Sequence, residues 1–309
     1  MKTYAKMAIV LAIAVAAGAA STSVADEPGI QMMQRAEAAE GQTDEWTFIS
    51  ADERYGKFYD PHRVHVVANA DVKGKLVPTS INAVIKTTYT YAGAKETIDN
   101  YGIGHIITNP GTLKYSYASV LICPQERTIE YAQEDFYDES GKIIWSKVYT
   151  EHKRKEINSR SFDEDFYDAV VDTVFHFGEE QRRKAPDRWR TLYVAASADG
   201  SATKSIADTT TMRMSGDNIF FWEWVEYRDS TNTVRDVKFM KKAVNLREAT
   251  QRVMKYQMWN ESGWKDATAE LSQRYKPIRH NSYEWRGLEN LRAFAKGYSR
   301  WLHRYSTEN

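Results

Sequence analysis

Cys123 is the only cysteine in the chain, and its thiolate would be the strongest nucleophile present if a base drew off the proton. No histidine stands near it in sequence, and it closes the apolar run Val120-Leu121-Ile122. The expectation is a strand thiol buried as a small hydrophobe. His62 and His65 set two imidazoles three residues apart, a spacing that on a helix face would suit zinc. Pro61 and the β-branched residues that follow predict a loop running into a strand, where the rings point to opposite faces. Glu134, Asp135, Asp138 and Glu139 offer carboxylates for calcium or for acid–base work. They lack the alternating ligands and distal Glu of a calcium loop, and a glycosidase pair is defined by spatial separation; a solvated hairpin end is the expectation. Phe220, Trp222 and Trp224 share one face of an apolar strand, and Phe221, Val225 and Tyr227 share the other. One face would make an aromatic platform for sugar or peptide, but apolar character on both sides is that of a covered, central strand. These sets assemble no constellation, so no catalytic, metal-ligating or cofactor-binding residue is assigned and no cofactor is expected.

The elements that would position such residues are written twice. FYDESG from Phe136 and MWNESG from Met258 recur after 258 − 136 = 122 residues. Each reads as a hairpin turn in which Gly141 or Gly263 supplies a positive φ. Before each turn come alternating aromatic and β-branched segments that read as strands, opening at Trp46 and at Trp189. After each comes a helix. Ser161 with Glu164 forms a capping box ahead of the stripe Phe162, Phe166, Val170 and Val174, and the helix is expected to stop near Gly178. Asn281 with Glu284 is the second capping candidate, ahead of Leu288, Leu291, Ala295, Tyr298, Leu302 and Tyr305. The first copy is longer, an excess assigned to a loop around Ala92 to Thr112. Strands followed by one helix give an α+β class: two tandem copies of an antiparallel sheet packed against a C-terminal helix. The expected division is a first domain over 46–178, a connection over 179–187 and a second domain over 188–305. Each copy is expected to carry its own core and to be separable at the connection.

The two ends of the expected export segment bracket an address. Lys2 and Lys6 precede the apolar stretch Met7 to Ala20, and Ser23-Val24-Ala25 fits a peptidase site. The stretch falls short of the about 20 apolar residues of a membrane span, so residues 1–25 are expected to be a cleaved signal peptide. Residues 26–45, acidic and poor in branched apolar residues, read as a flexible leader. With 42 basic and 42 acidic residues in all, two of the basic ones in the signal, the surface lacks the basic stripe that phosphate-backbone binding requires; nucleic acid is not an expected partner. No cysteine stands at the cleavage point, so no lipid anchor is expected. A single cysteine forms no intrachain disulfide, and each copy must be held by its apolar core.

The chain resembles the surface-adhesin protein E-like domain of bacterial envelope proteins. The carrying residues are Trp46 in WTFI, Tyr59 and Asp60 in KFYDP, Cys123 with Arg127 in ICPQER, and FYDESGKIIWS; the second copy resembles it through Trp189, FFWEWVEY and WNESG. The resemblance spans most of residues 46–304. It implies a sheet with a C-terminal helix on a secreted or surface protein, and binding to host matrix or plasma proteins. The family often pairs its strand cysteine with one near the last helix; here Cys123 has no partner, and Asn245 stands at its place in the second copy. The expected function is a non-catalytic, adhesin-like binding module of the bacterial envelope, exported to the periplasm, the cell surface or the medium. Its expected partners are host or envelope proteins or glycans. An exported hydrolase with scattered site residues, or an envelope assembly or structural factor, are the alternatives.

Overall fold

The computed structural model describes residues 45–176 and 184–308. The expected signal peptide, the leader 26–45 apart from Glu45, and most of the connection 179–187 lie outside the described residues. Among the described residues the chain is mostly β, with two antiparallel sheets and few helices. The first sheet holds β1 (Thr47–Ala51), β2 (Tyr55–Tyr59), β3 (His65–Val72), β4 (Lys75–Tyr89), β5 (Tyr115–Cys123), β6 (Thr128–Tyr137), β7 (Ile143–Val148) and β8 (Lys155–Glu156). Helix α1 (Tyr91–Tyr101) follows β4, and α2 (Glu164–Phe175) follows β8. The second sheet holds β9 (Trp189–Ala196), β10 (Ala202–Ser215), β11 (Asn218–Arg228), β12 (Val234–Asn245), β13 (Thr250–Asn260), β14 (Gly263–Asp266) and β15 (Lys276–Pro277), followed by α3 (Tyr283–Gly297) and the short α4 (Ser299–Leu302). The strand orders are β1-β2-β4-β5-β6-β7, with β3 on β4 and β8 on β6, and β14-β13-β12-β11-β10-β9, with β15 on β13.

Alternation makes the sheets. In β5 every second residue is buried, so one face meets α2 while the other stays partly wet. Ile81, Ile85, Val120 and Ile122 pack against Phe166, Val170 and Val171 of α2, with Phe162 and Val174 at the margin. In the second half Leu192, Ile219, Phe221 and Val244 pack against Leu288, Leu291 and Phe294 of α3. Each such side chain contributes roughly 1.5–3 kcal/mol through removal from water, and these layers dominate the stability of each half. The helical stripes are therefore as the apolar spacing predicts. Tyr305 is the exception: it leaves the second stripe and packs edge-to-face on Phe175 of the first core, with centroids 4.8 Å apart.

The two sheets repeat their turns at the offset of the sequence repeat. Both hairpin glycines have positive φ, Gly141 at 82° and Gly263 at 104°. β5 ends at Cys123 and β12 at Asn245, and the next turn puts Arg127 (φ 54°) and Ala249 (φ 53°) in the left-handed region. The carbonyls of those two residues accept from Ile157 N and Ile278 N, each at 2.8 Å, which seats β8 on β6 and β15 on β13. The strand paired with β4 breaks at buried Asp60, whose carboxylate accepts from His62 N (2.9 Å). Its counterpart β10 shifts register after buried Asp208, whose carboxylate accepts from Thr210 N (3.1 Å).

Three local expectations are corrected. The segment expected as a loop around Ala92 to Thr112 contains α1, started by Thr90 and stopped by Gly102 at φ 67°. Its following residues Ile103, Ile107 and Leu113 form a third core with Phe136. Ser161 does not cap α2. Its hydroxyl accepts from Asn158 N and donates to Glu156 O, so the helix begins at Glu164 behind Asp163, whose own carboxylate is taken by the Tyr131 hydroxyl (2.6 Å). The C-cap is His176, so the helix does stop near Gly178 as expected. The cap of α3 is Ser282, accepting from Trp285 N (3.1 Å), while Asn281 sits at φ 61° and turns the chain into it.

Candidate functional site

A cavity of about 270 Å³ opens where the two halves meet. One wall is the Pro124–Arg127 turn with Tyr167 of α2; the other is the end of β10 with Phe220 of β11; the chain after α4 passes over it. Three guanidinium groups line it, Arg127, Arg213 and Arg304, against one carboxylate, Glu308. The left-handed turn at Arg127 sends its side chain beneath α2, where Nε donates to Ile157 O (3.2 Å), Nη2 to Glu164 (3.0 Å) and Nη1 to Asp168 (3.2 Å). That charge is met. Arg213 lies over Phe220 (5.4 Å to the centroid) and donates to a carbonyl, Glu126 O, at 3.2 Å. Arg304 lies over Trp301 (4.1 Å) and donates to the carbonyls of Met212, Trp301 and Thr210. Its Nε is buried without a partner. Among the described residues neither Arg213 nor Arg304 reaches a carboxylate at ion-pair distance, so the cavity keeps an excess of positive charge.

The neighbouring groups are already engaged. Glu308 is occupied by Gly216 N (3.0 Å) and the Ser215 hydroxyl. Burial pushes the Tyr167 phenol well above its ordinary value, and it donates to Pro124 O (3.0 Å). Burial also raises the Tyr305 phenol, against the pull of Arg304. Burial lowers the Lys241 ammonium, Glu156 restores part of the shift, and Arg213 depresses it further. Arginine forks over an aromatic wall suit the holding of an oxygen-rich or anionic group.

Two polar contacts fix the halves around the cavity. Arg188 bridges Glu164 (2.7 Å) and fully buried Asp208 (3.1 Å), extending the Asp168–Arg127–Glu164 chain from the first half into the strand break of the second. On the far side Glu156 of β8 meets Lys241 (2.5 Å), Lys255 (2.8 Å) and the indole N–H of Trp222 (3.2 Å). Burial acts to raise the Glu156 carboxyl, and the two lysines outweigh it, holding it below its ordinary value. Beside it Arg160 stacks on Trp264 (3.6 Å) and donates to Gln257 (2.5 Å), its guanidinium lowered to about 10 by burial.

The residues singled out in the sequence separate. Cys123 is free, only half-buried, on the face opposite Ile122; its Sγ lies 3.8 Å from Gln125 Oε1. The expectation of a buried thiol is corrected: the core face of β5 is taken by Ile122. His62 lies in a 3-10 turn near Glu45 and His65 opens exposed β3, as loop and strand. Among the described residues no group of His, Cys, Asp and Glu is arranged to hold a metal ion, and no helix is long and apolar enough to cross a membrane. Asp138 closes its hairpin by accepting from Ser140 N and Lys142 N, and Glu139 is exposed. Glu134 departs from the solvated reading. It is buried and accepts from the hydroxyls of Tyr101 (2.5 Å), Tyr149 (3.3 Å) and Ser116 (3.3 Å). Of the aromatic stripe, Trp222 and Trp224 pack on Phe239 (4.4 and 4.8 Å) beneath residues 156–160, as core. Phe220 alone reaches the cavity. Arg213, Tyr167 and the adjacent pair Arg304-Tyr305 come from three separate segments with no local motif; Arg127 in ICPQER is the one sequence signal that pointed here. Compared with family models, with curated proteins and with solved structures, the chain matches none.

Proposed function

We propose that this chain is an exported, non-catalytic binding module of the bacterial envelope, built from two tandem copies of a sheet-and-helix unit, and that its ligand occupies the cavity between them. The observation that carries the reading is the cavity's lining: two guanidinium groups that meet no carboxylate among the described residues, and the Phe220 ring, around about 270 Å³. That is close to the lower end of the roughly 300–1,000 Å³ typical of small-ligand sites. The tandem origin is supported by the recurring hairpin glycines, left-handed turn residues and buried strand-break aspartates. The adhesin-like part rests on the sequence resemblance, and the cavity then receives a fragment of a glycan or protein partner. Thermal-shift measurements on the full chain test this, using peptidoglycan fragments, glycosaminoglycans and matrix proteins. A saturable shift is expected for at least one class, lost in Phe220→Ala, with the compound recovered chemically unchanged. Conversion of the compound, or a shift that Phe220→Ala retains, overturns it.

A further inference from the structure

We propose that the cavity is an anion receptor, taking a carboxylate or phosphate group carried on an apolar body, with Arg213 and Arg304 as its cationic contacts. The proposal rests on the preceding reading for the location of the site and adds the chemistry of the ligand. Arg127 shows what a satisfied guanidinium looks like in this fold: three directional bonds, two of them to carboxylates. Arg304 is placed a few residues beyond α4 with the same number of bonds, but all three go to carbonyl oxygens, which orient the group without neutralising it. Its Nε–H is buried and has no acceptor. Arg213, which lines the same cavity from β10, has one carbonyl bond and the face of Phe220. An anion would meet both cations at once, and charge-assisted bonds to guanidinium are the strong ones.

The apolar half of the ligand follows from the walls. Phe220, Met212, Met214 and Leu302 line the same space, and a bare, fully hydrated ion would leave them wet. A planar or aliphatic body fits against them while the anionic end faces the arginines. The one resident carboxylate, Glu308, is held by the hairpin at Ser215 and Gly216 and does not fill the role.

Isothermal titration of the full chain with benzoate, benzamide and phenyl phosphate separates charge from shape. Benzoate is expected to bind at least about tenfold tighter than the isosteric neutral benzamide. Its affinity is expected to fall as salt is raised, and to fall about tenfold in Arg213→Gln, whose single carbonyl bond makes it the variant least tied to folding. Arg304→Gln removes three carbonyl bonds, so its loss of binding counts only if its circular dichroism and melting temperature match the parent. Tighter binding of phenyl phosphate than of benzoate identifies a phosphoryl group as the anion; the reverse identifies a carboxylate. Equal binding of benzoate and benzamide, unchanged binding in Arg213→Gln, or no binding of either anion at millimolar concentration overturns the proposal. If the anions fail while an envelope ligand is still lost in Phe220→Ala, the anion chemistry is wrong and the cavity stands as the binding site. If both fail, the binding reading falls with it.

Discussion

Arg127 and Glu134 show how far a single residue's role depends on what surrounds it. Arg127 is almost fully buried and makes its bonds to Glu164, Asp168 and Ile157 O through three different nitrogens. Arg127→Ala leaves buried Glu164 with Arg188 as its one cationic partner and opens a gap beneath α2, and should cost roughly 3 kcal/mol in urea denaturation. Arg127→Lys should recover little of it, because one ammonium does not reproduce the fork. Glu134 supplies a pH test. Burial raises its carboxyl, against the lowering effect of the Tyr101, Tyr149 and Ser116 hydroxyls. A raised carboxyl holds its proton more tightly in the folded state. Its contribution to stability is therefore full below the ordinary carboxylate range and is lost as pH rises from that range through the folded value. Glu134→Gln removes this titration, so the variant's stability relative to the parent should improve between about pH 4 and about pH 8. Urea midpoints at the two pH values measure it, and a difference that does not change with pH refutes it. Neither role was legible in the sequence. ICPQER marked Arg127 as notable without showing Glu164 beneath it, and the run EDFYDES gave no sign that Glu134 turns inward while Asp135 turns away to Gln133.

At the scale of elements, legibility followed side-chain pattern. The strands were readable because their apolar residues alternate, and α2 and α3 because theirs recur every three or four residues. Helix α1 was not, since its buried side is Gly93, Ala94, Thr97 and Ile98, too small and too polar to make a stripe. Close approach explains that composition. A Cβ on Gly93 would stand 2.3 Å from the Arg54 carbonyl oxygen, an atom of backbone that has no room to give. Gly93→Ala should therefore destabilise by roughly 1–3 kcal/mol, against the roughly 0.5–1 kcal/mol that alanine gains by helix propensity. Gly104→Ala is the control: its nearest neighbour would be Ile98 Cγ2 at 3.7 Å, ordinary contact, and little change is expected. The caps divide in the same way. Ser282→Ala removes the side-chain acceptor for Trp285 N and should cost about 1 kcal/mol. Ser161→Ala should leave the helicity of α2 intact, because Ser161 bonds Asn158 and Glu156 instead. Melting temperatures and far-ultraviolet circular dichroism of the two variants distinguish these outcomes.

For the whole molecule, the repeat in the sequence suggests two separable halves, and the contacts between them argue for one cooperative unit. Among the contacts between the halves are Arg188 between Glu164 and Asp208, Glu156 between Lys241 and Lys255, and the C-terminal chain, where Tyr305 packs edge-to-face on Phe175 and its carbonyl accepts from Gln125 (3.0 Å). Separation would expose buried Asp208 and Glu164 and partly buried Glu156, and would uncover Trp222 and Trp224 beneath residues 156–160. Exposed to water the carboxylates would be solvated, so the ionic contacts alone do not bind the halves tightly. The apolar faces favour contact, and the buried ion chain fixes its geometry. Fragments 45–178 and 187–308, co-expressed, should purify as one species, and the intact chain should unfold in a single transition with coincident fluorescence and circular dichroism. Arg188→Ala leaves Asp208 unpaired in the interior. With Arg188 itself about one-third exposed, the cost should be nearer roughly 2 kcal/mol than the full value for a buried pair, and little affected by salt. Two resolved transitions in the parent, or fragments that migrate separately, would show instead that each sheet-and-helix unit stands on its own core, and the cavity between them would then be a product of loose association.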